Sequence, residues 1–192
     1  VYADKEILEK GKREALLLQL IRTAIREESF DVFYQPIFSV EQQRYTTAEA
    51  LVRLHTKELG FVSPEEFIPI AEKNGLVIEI DDLVFKKVCR FFTENQLQEK
   101  GIEYIHVNLS VIECMQEKLC EKLLHTMDEF GLDYRYIQFE ITETAAVASK
   151  EVLQNTMEKL IKHGIEFAMD DYGTGFSNMV TIINYPFSTI KL

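Results

Sequence analysis

No apolar run in the sequence approaches the roughly 20 residues that a membrane span needs. Val1 to Glu28 is studded with charges of both signs, and its longest apolar run, Ala15 to Leu18, is too short for the core of a signal peptide. Cysteine is scarce: Cys89, Cys114 and Cys120 are odd in number and form no C-x-x-C pair. That argues against a disulfide scaffold or a thiolate zinc site and suits a reducing compartment. Basic residues are also short, 21 Lys and Arg against 32 Asp and Glu, for a formal net charge of −11. A protein that neutralises phosphates along DNA or RNA is usually basic, so no long nucleic-acid partner is expected. A small phosphodiester is not excluded, because bound cations can reverse the charge of an acidic site. With 46% hydrophobic residues in 192, the chain can bury one sizeable core. These absences predict a cytoplasmic globular protein, any membrane anchor of the parent lying outside this segment.

What is present falls into a regular order. Ala3 to Glu28 has apolar residues at the three-and-four spacing of one helix face (Ile7, Leu8, Leu16, Leu17, Leu20, Ile21, Ala24, Ile25) and predicts a connector or packing helix over residues 1–28. Asp31 to Val40 and Arg44 to Leu54 are rich in β-branched and aromatic residues and read as a hairpin of strands. Ser63-Pro64-Glu65-Glu66 predicts a capping box opening a helix that ends at Asn74-Gly75, and a second helix is predicted from about Asp81 to Lys100. Strands at 104–110, 136–142, 166–171 and 189–192 then alternate with helices at 113–130, 150–163 and 177–183. Such alternation predicts a mostly parallel sheet covered by helices. A complete eight-stranded barrel needs about 250 residues, so six strands between Phe30 and Leu192 fit either a barrel short of about two units or an open six-stranded sheet.

The later part of each strand after the first carries a polar group: Glu49, Asn108, Glu140, Asp170 with Asp171, and Lys191. The carboxyl ends of strands are where α/β sheets bind ligands. Four carboxylates and an amide converging there would repel one another without a positive centre, and oxygen donors favour magnesium, manganese or calcium. Two such ions could clamp the attacking and leaving oxygens of a phosphodiester. Strand alternation puts Thr47, Glu49, Leu51 and Arg53 on one face, with His106 and Asn108, and with Gln138 and Glu140. Asp170 and Asp171 can share a site only if the strand has ended by Asp171, and Gly173-Thr174-Gly175 offers that break. Metal chemistry and plain structural capping both remain open on this pattern. His106 is expected to pack or hydrogen-bond in the interior, and the cysteines to pack as thiols.

Six segments in order resemble one family. They are Tyr34-Gln35-Pro36-Ile37, Glu49-Ala50-Leu51-Val52-Arg53, Ser63-Pro64-Glu65-Glu66-Phe67-Ile68-Pro69-Ile70-Ala71-Glu72, Val107-Asn108-Leu109-Ser110, Glu140-Ile141-Thr142-Glu143 and Asp170-Asp171-Tyr172-Gly173-Thr174-Gly175-Phe176-Ser177. Together they resemble the EAL domain, from about Phe33 onward, and so imply an EAL domain over residues 29–192. The resemblance implies a TIM-like barrel with its first strand antiparallel, about six of eight strands being present. It implies hydrolysis of cyclic di-GMP to linear pGpG by water activated between two Mg²⁺ or Mn²⁺ ions. Glu49, Asn108, Glu140, Asp170 and Asp171 match the metal ligands, and Lys191 the lysine that helps position the catalytic water. Gln35, Leu51 and Arg53 match contacts to the dinucleotide, Arg53 pairing with phosphate. Gly173 to Ser177 matches a mobile loop coupling substrate, metals and dimer contacts, so a homodimer is also expected, with a sensory or GGDEF-type domain upstream.

Some positions depart from the family pattern: Leu54 stands where Trp is common, Tyr172 for Phe and Asn178 for Ser. The family's seventh strand carries another metal-binding glutamate and a loop-supporting one, and its eighth further substrate contacts. The parent is therefore expected to be active and this segment alone nearly inactive. A non-catalytic cyclic di-GMP receptor of the same fold, and a barrel hydrolase acting on another phosphoester, are the alternatives.

Overall fold

The structure, a computed structural model, describes residues 2–143, 146, 150–173 and 185–192. The strands β1 (Asp31–Ser39), β2 (Arg44–Thr56), β4 (Tyr104–Asn108), β5 (Ile137–Thr142), β6 (Glu166–Asp170) and β7 (Thr189–Ile190) follow one another across a single sheet, and a short β3 (Gly60–Val62) pairs with β2. From β2 to β7 every pairing on this path is parallel. Strands β1 and β2 are neighbours separated by only Val40–Gln43, a link too short for the crossover that parallel strands require. The first strand is therefore antiparallel to the rest, as the resemblance implied. The β3 arm was not predicted. It pairs antiparallel with the far end of β2, Leu54 opposite Val62, and three residues with a glycine give too little pattern to read.

The chain divides into two compact units, one of Val1–Phe33 with Val52–Phe85 and one of Tyr34–Leu51 with Lys86–Leu192. In the first, α1 (Tyr2–Arg26) packs on α2 (Pro64–Lys73) through buried Leu17, Ile21 and Ala24, while Ile7 and Leu8 stand exposed. Phe30 and Phe67 meet at 5.7 Å in its core. The predicted capping box at Ser63 does not form: the Ser63 side chain makes no cap bond, and Glu66 is held instead by a two-pronged pair with Arg13 of α1. A carboxylate held by a guanidinium fork is not free to reach back to the cap.

In the second unit the helix faces of β4, β5 and β6 (Ile105, Val107, Ile137, Phe139, Phe167 and Met169) are buried. Among the helices of this unit are α5 (Leu119–Glu129) and α6 (Lys150–Ile161), which bury Leu123, Met127, Leu153 and Met157. The predicted helix from Glu113 to Phe130 is in fact two pieces. A single turn α4 (Val111–Cys114) is started by a capping box between Ser110 and Glu113, and α5 restarts at Leu119, leaving Met115 exposed. Helix α3 (Val77–Glu94) starts and ends earlier than predicted. It closes with Leu97 N bonded to Phe92 O and Gln96 N to Thr93 O, Gln96 sitting at φ 49. That left-handed closing position is usually a glycine, so a glutamine there hid the stop. The predicted helix at 177–183 lies outside the described residues. Among the described residues no helix is long and apolar enough to cross a membrane.

Candidate functional site

The parallel register decides which side chains share a face. Glu49 stands opposite His106 and His106 opposite Gln138; Asn108 stands opposite Glu140, and Thr142 opposite Asp170. Lys191 follows β7 directly, two residues beyond Thr189, which faces Ala168. Glu49, His106, Asn108, Glu140, Asp170 and Lys191 therefore lie on the face opposite the buried helix side, toward the carboxyl ends of their strands. The alternation read from the sequence holds.

Lys191 is the centre of this face. Its Nζ donates to Glu49 Oε2 at 2.7 Å and to both oxygens of Glu140, at 2.7 and 2.8 Å, and lies 3.8 Å from Asp170 Oδ1. Glu140 has a wholly buried side chain, and His106 Nδ1 comes within 2.7 Å of its Oε1. That approach has the distance of an ion pair and not the direction of a hydrogen bond, so by direction Nδ1 is left without a partner among the described residues. Burial pushes the Glu140 carboxyl up, but His106 and Lys191 outweigh it and hold the group below the ordinary carboxylate range. Asp170 is raised, by burial first and then by the nearby carboxylates of Glu140 and Asp171 against the pull of Lys191. Burial lowers Lys191, and its bonds to Glu140 and Glu49 more than reverse that, leaving it raised.

The backbone of Lys191 is pinned on both sides of the aspartate pair. Its N–H donates to Met169 O at 2.8 Å, and its carbonyl accepts from Tyr172 N at 3.1 Å. A regular parallel ladder would use Asp171 N for the second bond, so one residue is extra. Asp171 carries the excess at φ 55, and β6 ends at Asp170. This is the break the sequence required if both aspartates are to serve one site, since an extra residue re-aims the side chains around it. Asp171 is exposed, and Asn108 is exposed at the end of β4.

The remaining predicted residues are placed as follows. Gln35 is exposed on β1 and Leu51 half-buried on β2. Arg53 belongs to the other compact unit, its guanidinium 5.6 Å from the Phe33 ring centre and its Nη1 donating to Val52 O. Residues 174–177 of the expected mobile loop lie outside the described residues. Two contributors escaped the sequence reading. His106 was placed on the face of Asn108 and expected to pack or hydrogen-bond there, but its closeness to Glu140, Nδ1 2.7 Å from Oε1, was not foreseen. Glu143, buried just after β5, accepts from Gly173 N at 3.1 Å and so anchors the start of the loop after β6. Its signal was the spacing of three from Glu140. The cysteines are free thiols; burial pushes Cys89 and Cys114 up to about 12, so neither ionises near neutrality.

Three carboxylates against one ammonium leave two negative charges in excess around Lys191. An excess of that sign in a half-buried site draws cations, and carboxylate oxygens suit hard divalent ones. Among the described residues no three His, Cys, Asp or Glu side chains already enclose a metal position. The donors nevertheless suit the ions the resemblance implies: Glu49 and Glu140 bond to one Lys191 Nζ and the Asp170 carboxylate lies 3.8 Å from it, so three hard oxygen ligands stand about one point.

Comparison with known proteins places the chain in a family. The chain matches the EAL domain over residues 19–192 and belongs to that family. It is 26% identical over 191 residues to the cyclic di-GMP phosphodiesterase NbdA of Pseudomonas aeruginosa, covering 100% of this chain and 24% of that one. It is 34% identical over 171 residues to the biofilm architecture maintenance protein MbaA of Vibrio cholerae, covering 89% of this chain and 21% of the other. The chain thus spans about a quarter of the length of the curated relatives it matches. Among solved structures, the PaMucR phosphodiesterase in complex with c-di-GMP superposes with a TM-score of 0.85 at 26% identity, over 92% of this chain and 72% of that one. Likeness to EAL structures settles the sheet as that of an incomplete TIM-like barrel.

Proposed function

We propose that this chain is the greater part of the catalytic domain of a cyclic di-GMP phosphodiesterase, producing linear pGpG. The observation that carries the reading is the Lys191 ammonium set among Glu49, Glu140 and Asp170 at the carboxyl ends of the strands. Relatives named cyclic di-GMP phosphodiesterases and a phosphodiesterase structure holding c-di-GMP support the choice of substrate. Glu49, Asn108, Glu140, Asp170 and Asp171 are proposed to hold two Mg²⁺ or Mn²⁺ ions. Bound there, the ions would supply charge to the phosphodiester oxygens and lower the cost of ionising water. Arg53 would pair with a phosphate, and Gln35 and Leu51 would contact the dinucleotide. Lys191 would hold the attacking water by a hydrogen bond and oppose the negative charge that builds on phosphorus oxygens. In the reaction water adds to phosphorus, one P–O3′ bond breaks, and the leaving O3′ takes up a proton. The helix Tyr2–Arg26 is proposed as a connector to a sensory or GGDEF-type domain, with residues 29–192 as the EAL domain, in a homodimeric cytoplasmic parent.

The test is hydrolysis of cyclic di-GMP by the full-length protein in Mg²⁺ or Mn²⁺, with Glu49→Ala alongside. Turnover to pGpG that disappears in the variant supports the reading. Binding of the dinucleotide without cleavage by the unaltered protein overturns it in favour of a receptor.

A further inference from the structure

We propose that His106 is a positioning residue for the metal site: its imidazole fixes the orientation of the Glu140 carboxylate and thereby sets divalent-cation affinity. The inference rests on the reading of Glu140 as a metal ligand.

The geometry isolates this pair. The His106 and Glu140 side chains are 4% and 0% exposed, on adjacent parallel strands, with Nδ1 and Oε1 2.7 Å apart. Side chains buried to that degree have no contact with bulk solvent; Glu140 takes its bonds from Lys191, and His106 Nδ1 faces Glu140. The imidazole has little room to leave. On its own strand the Tyr104 ring meets it edge-on at 5.1 Å. Across the ladder it stands between Glu49 and Gln138. Glu140, by contrast, can turn about its terminal bonds. Lys191 holds both of its oxygens almost evenly, at 2.7 and 2.8 Å, and so does little to distinguish one carboxylate orientation from another. His106 touches one oxygen only. A nitrogen so close to a carboxylate must carry hydrogen to be tolerated. Nδ1 stands at ion-pair distance from Oε1 without the direction of a hydrogen bond, so its hold on that oxygen is one of charge and dipole. The ring therefore favours one orientation, with Oε1 turned to Nδ1 and the remaining lone pairs directed into the cluster with Glu49 and Asp170. Outer partners of this kind commonly set the affinity of a ligand they never replace.

The test is direct titration of the full-length protein with Mn²⁺, followed by the signal of free Mn²⁺, in the unaltered protein and in His106→Leu, His106→Asn and His106→Gln. Thermal unfolding would be recorded for each. The Leu variant should bind Mn²⁺ about tenfold or more weakly, in line with losses seen when outer partners of ligands are removed. The Asn variant, whose amide N–H falls near the place of Nδ1–H, should recover most of that loss, and the Gln variant, whose amide reaches one bond too far, should not. Excess Mn²⁺ should restore kcat in the Leu variant, with the KM for cyclic di-GMP at saturating Mn²⁺ equal to that of the unaltered protein. A residue that merely packs would lower thermal stability and leave Mn²⁺ affinity alone. Equal affinities in the unaltered protein and the Leu variant overturn the proposal. If the Leu variant does not fold, Asn and Gln variants of equal affinity overturn it. If the unaltered protein binds no Mn²⁺, the metal reading itself falls, and the role of His106 falls with it.

Discussion

Lys191 closes over Glu140 from 51 residues further along the chain, its Nζ 2.7 and 2.8 Å from the two carboxylate oxygens. The Glu140 side chain is 0% exposed and that of Lys191 23%, so the pair is asymmetric: the carboxylate depends on the lysine more than the reverse. Removing one partner of a buried pair costs about 3–5 kcal/mol because the other is left charged and unpaired. Lys191 is 23% exposed, which reduces this to about 2–3 kcal/mol once screening is allowed for. Lys191→Met is expected to lower stability by that amount in urea denaturation and to abolish cyclic di-GMP turnover. Unchanged stability would mean that Glu140 is served by other partners.

The pH dependence has a definite sign. Glu140 is held below its ordinary range in the folded protein. Its contribution is therefore complete above its unfolded value of about 4.3 and is lost as pH falls through the depressed folded value. Lys191 is raised, so its contribution is complete below about 10.4 and is lost only as pH rises through the raised value. Asp170, raised as well, is favourable only when protonated, below about 3.9, and its charge opposes folding at higher pH. Melting temperature followed from pH 7 down to pH 3 should therefore fall less steeply in Glu140→Gln than in the unaltered protein. Parallel curves would remove Glu140 from the account.

Asp171 stands at φ 55, a conformation that costs most L-residues about 1–2 kcal/mol and that Asp and Asn tolerate best after glycine. Measured without divalent ions, Asp171→Asn should match the unaltered stability and Asp171→Ala should lose about 1 kcal/mol. Equal stability of the two variants would contradict the left-handed turn.

Glu143 accepts from the Gly173 amide. A hydrogen bond to a charged acceptor contributes about 1.5–3 kcal/mol, so Glu143→Ala should speed hydrogen exchange at Gly173 by about tenfold or more. It should also reduce turnover of the full-length protein, leaving the exchange of β4 and β5 amides unaltered. Exchange at Gly173 that does not change would mean the bond holds nothing.

The alternation of β4 and β5 was legible because their two faces differ in kind: His106 and Asn108 against Ile105 and Val107, Gln138 and Glu140 against Ile137, Phe139 and Ile141. Periodicity of that clarity reports which side meets helices. The helix boundaries were less legible where a competing partner intervened. Glu66 had the spacing for a capping box and spent its carboxylate on Arg13, 53 residues away; Gln96 took a position that composition reserves for glycine. Both choices turn on local energies of about 1 kcal/mol, which a single distant contact can reverse.

The sequence by itself determined the alternation of strands and helices, the acidic strand ends and the family, because each is written in residue type and spacing along the chain. Tertiary structure alone decided that Lys191 fills the middle of Glu49, Glu140 and Asp170, that His106 faces Glu140, and that one extra residue at Asp171 ends β6. Those facts depend on register between strands, and register is set by backbone hydrogen bonds between segments that the sequence places far apart.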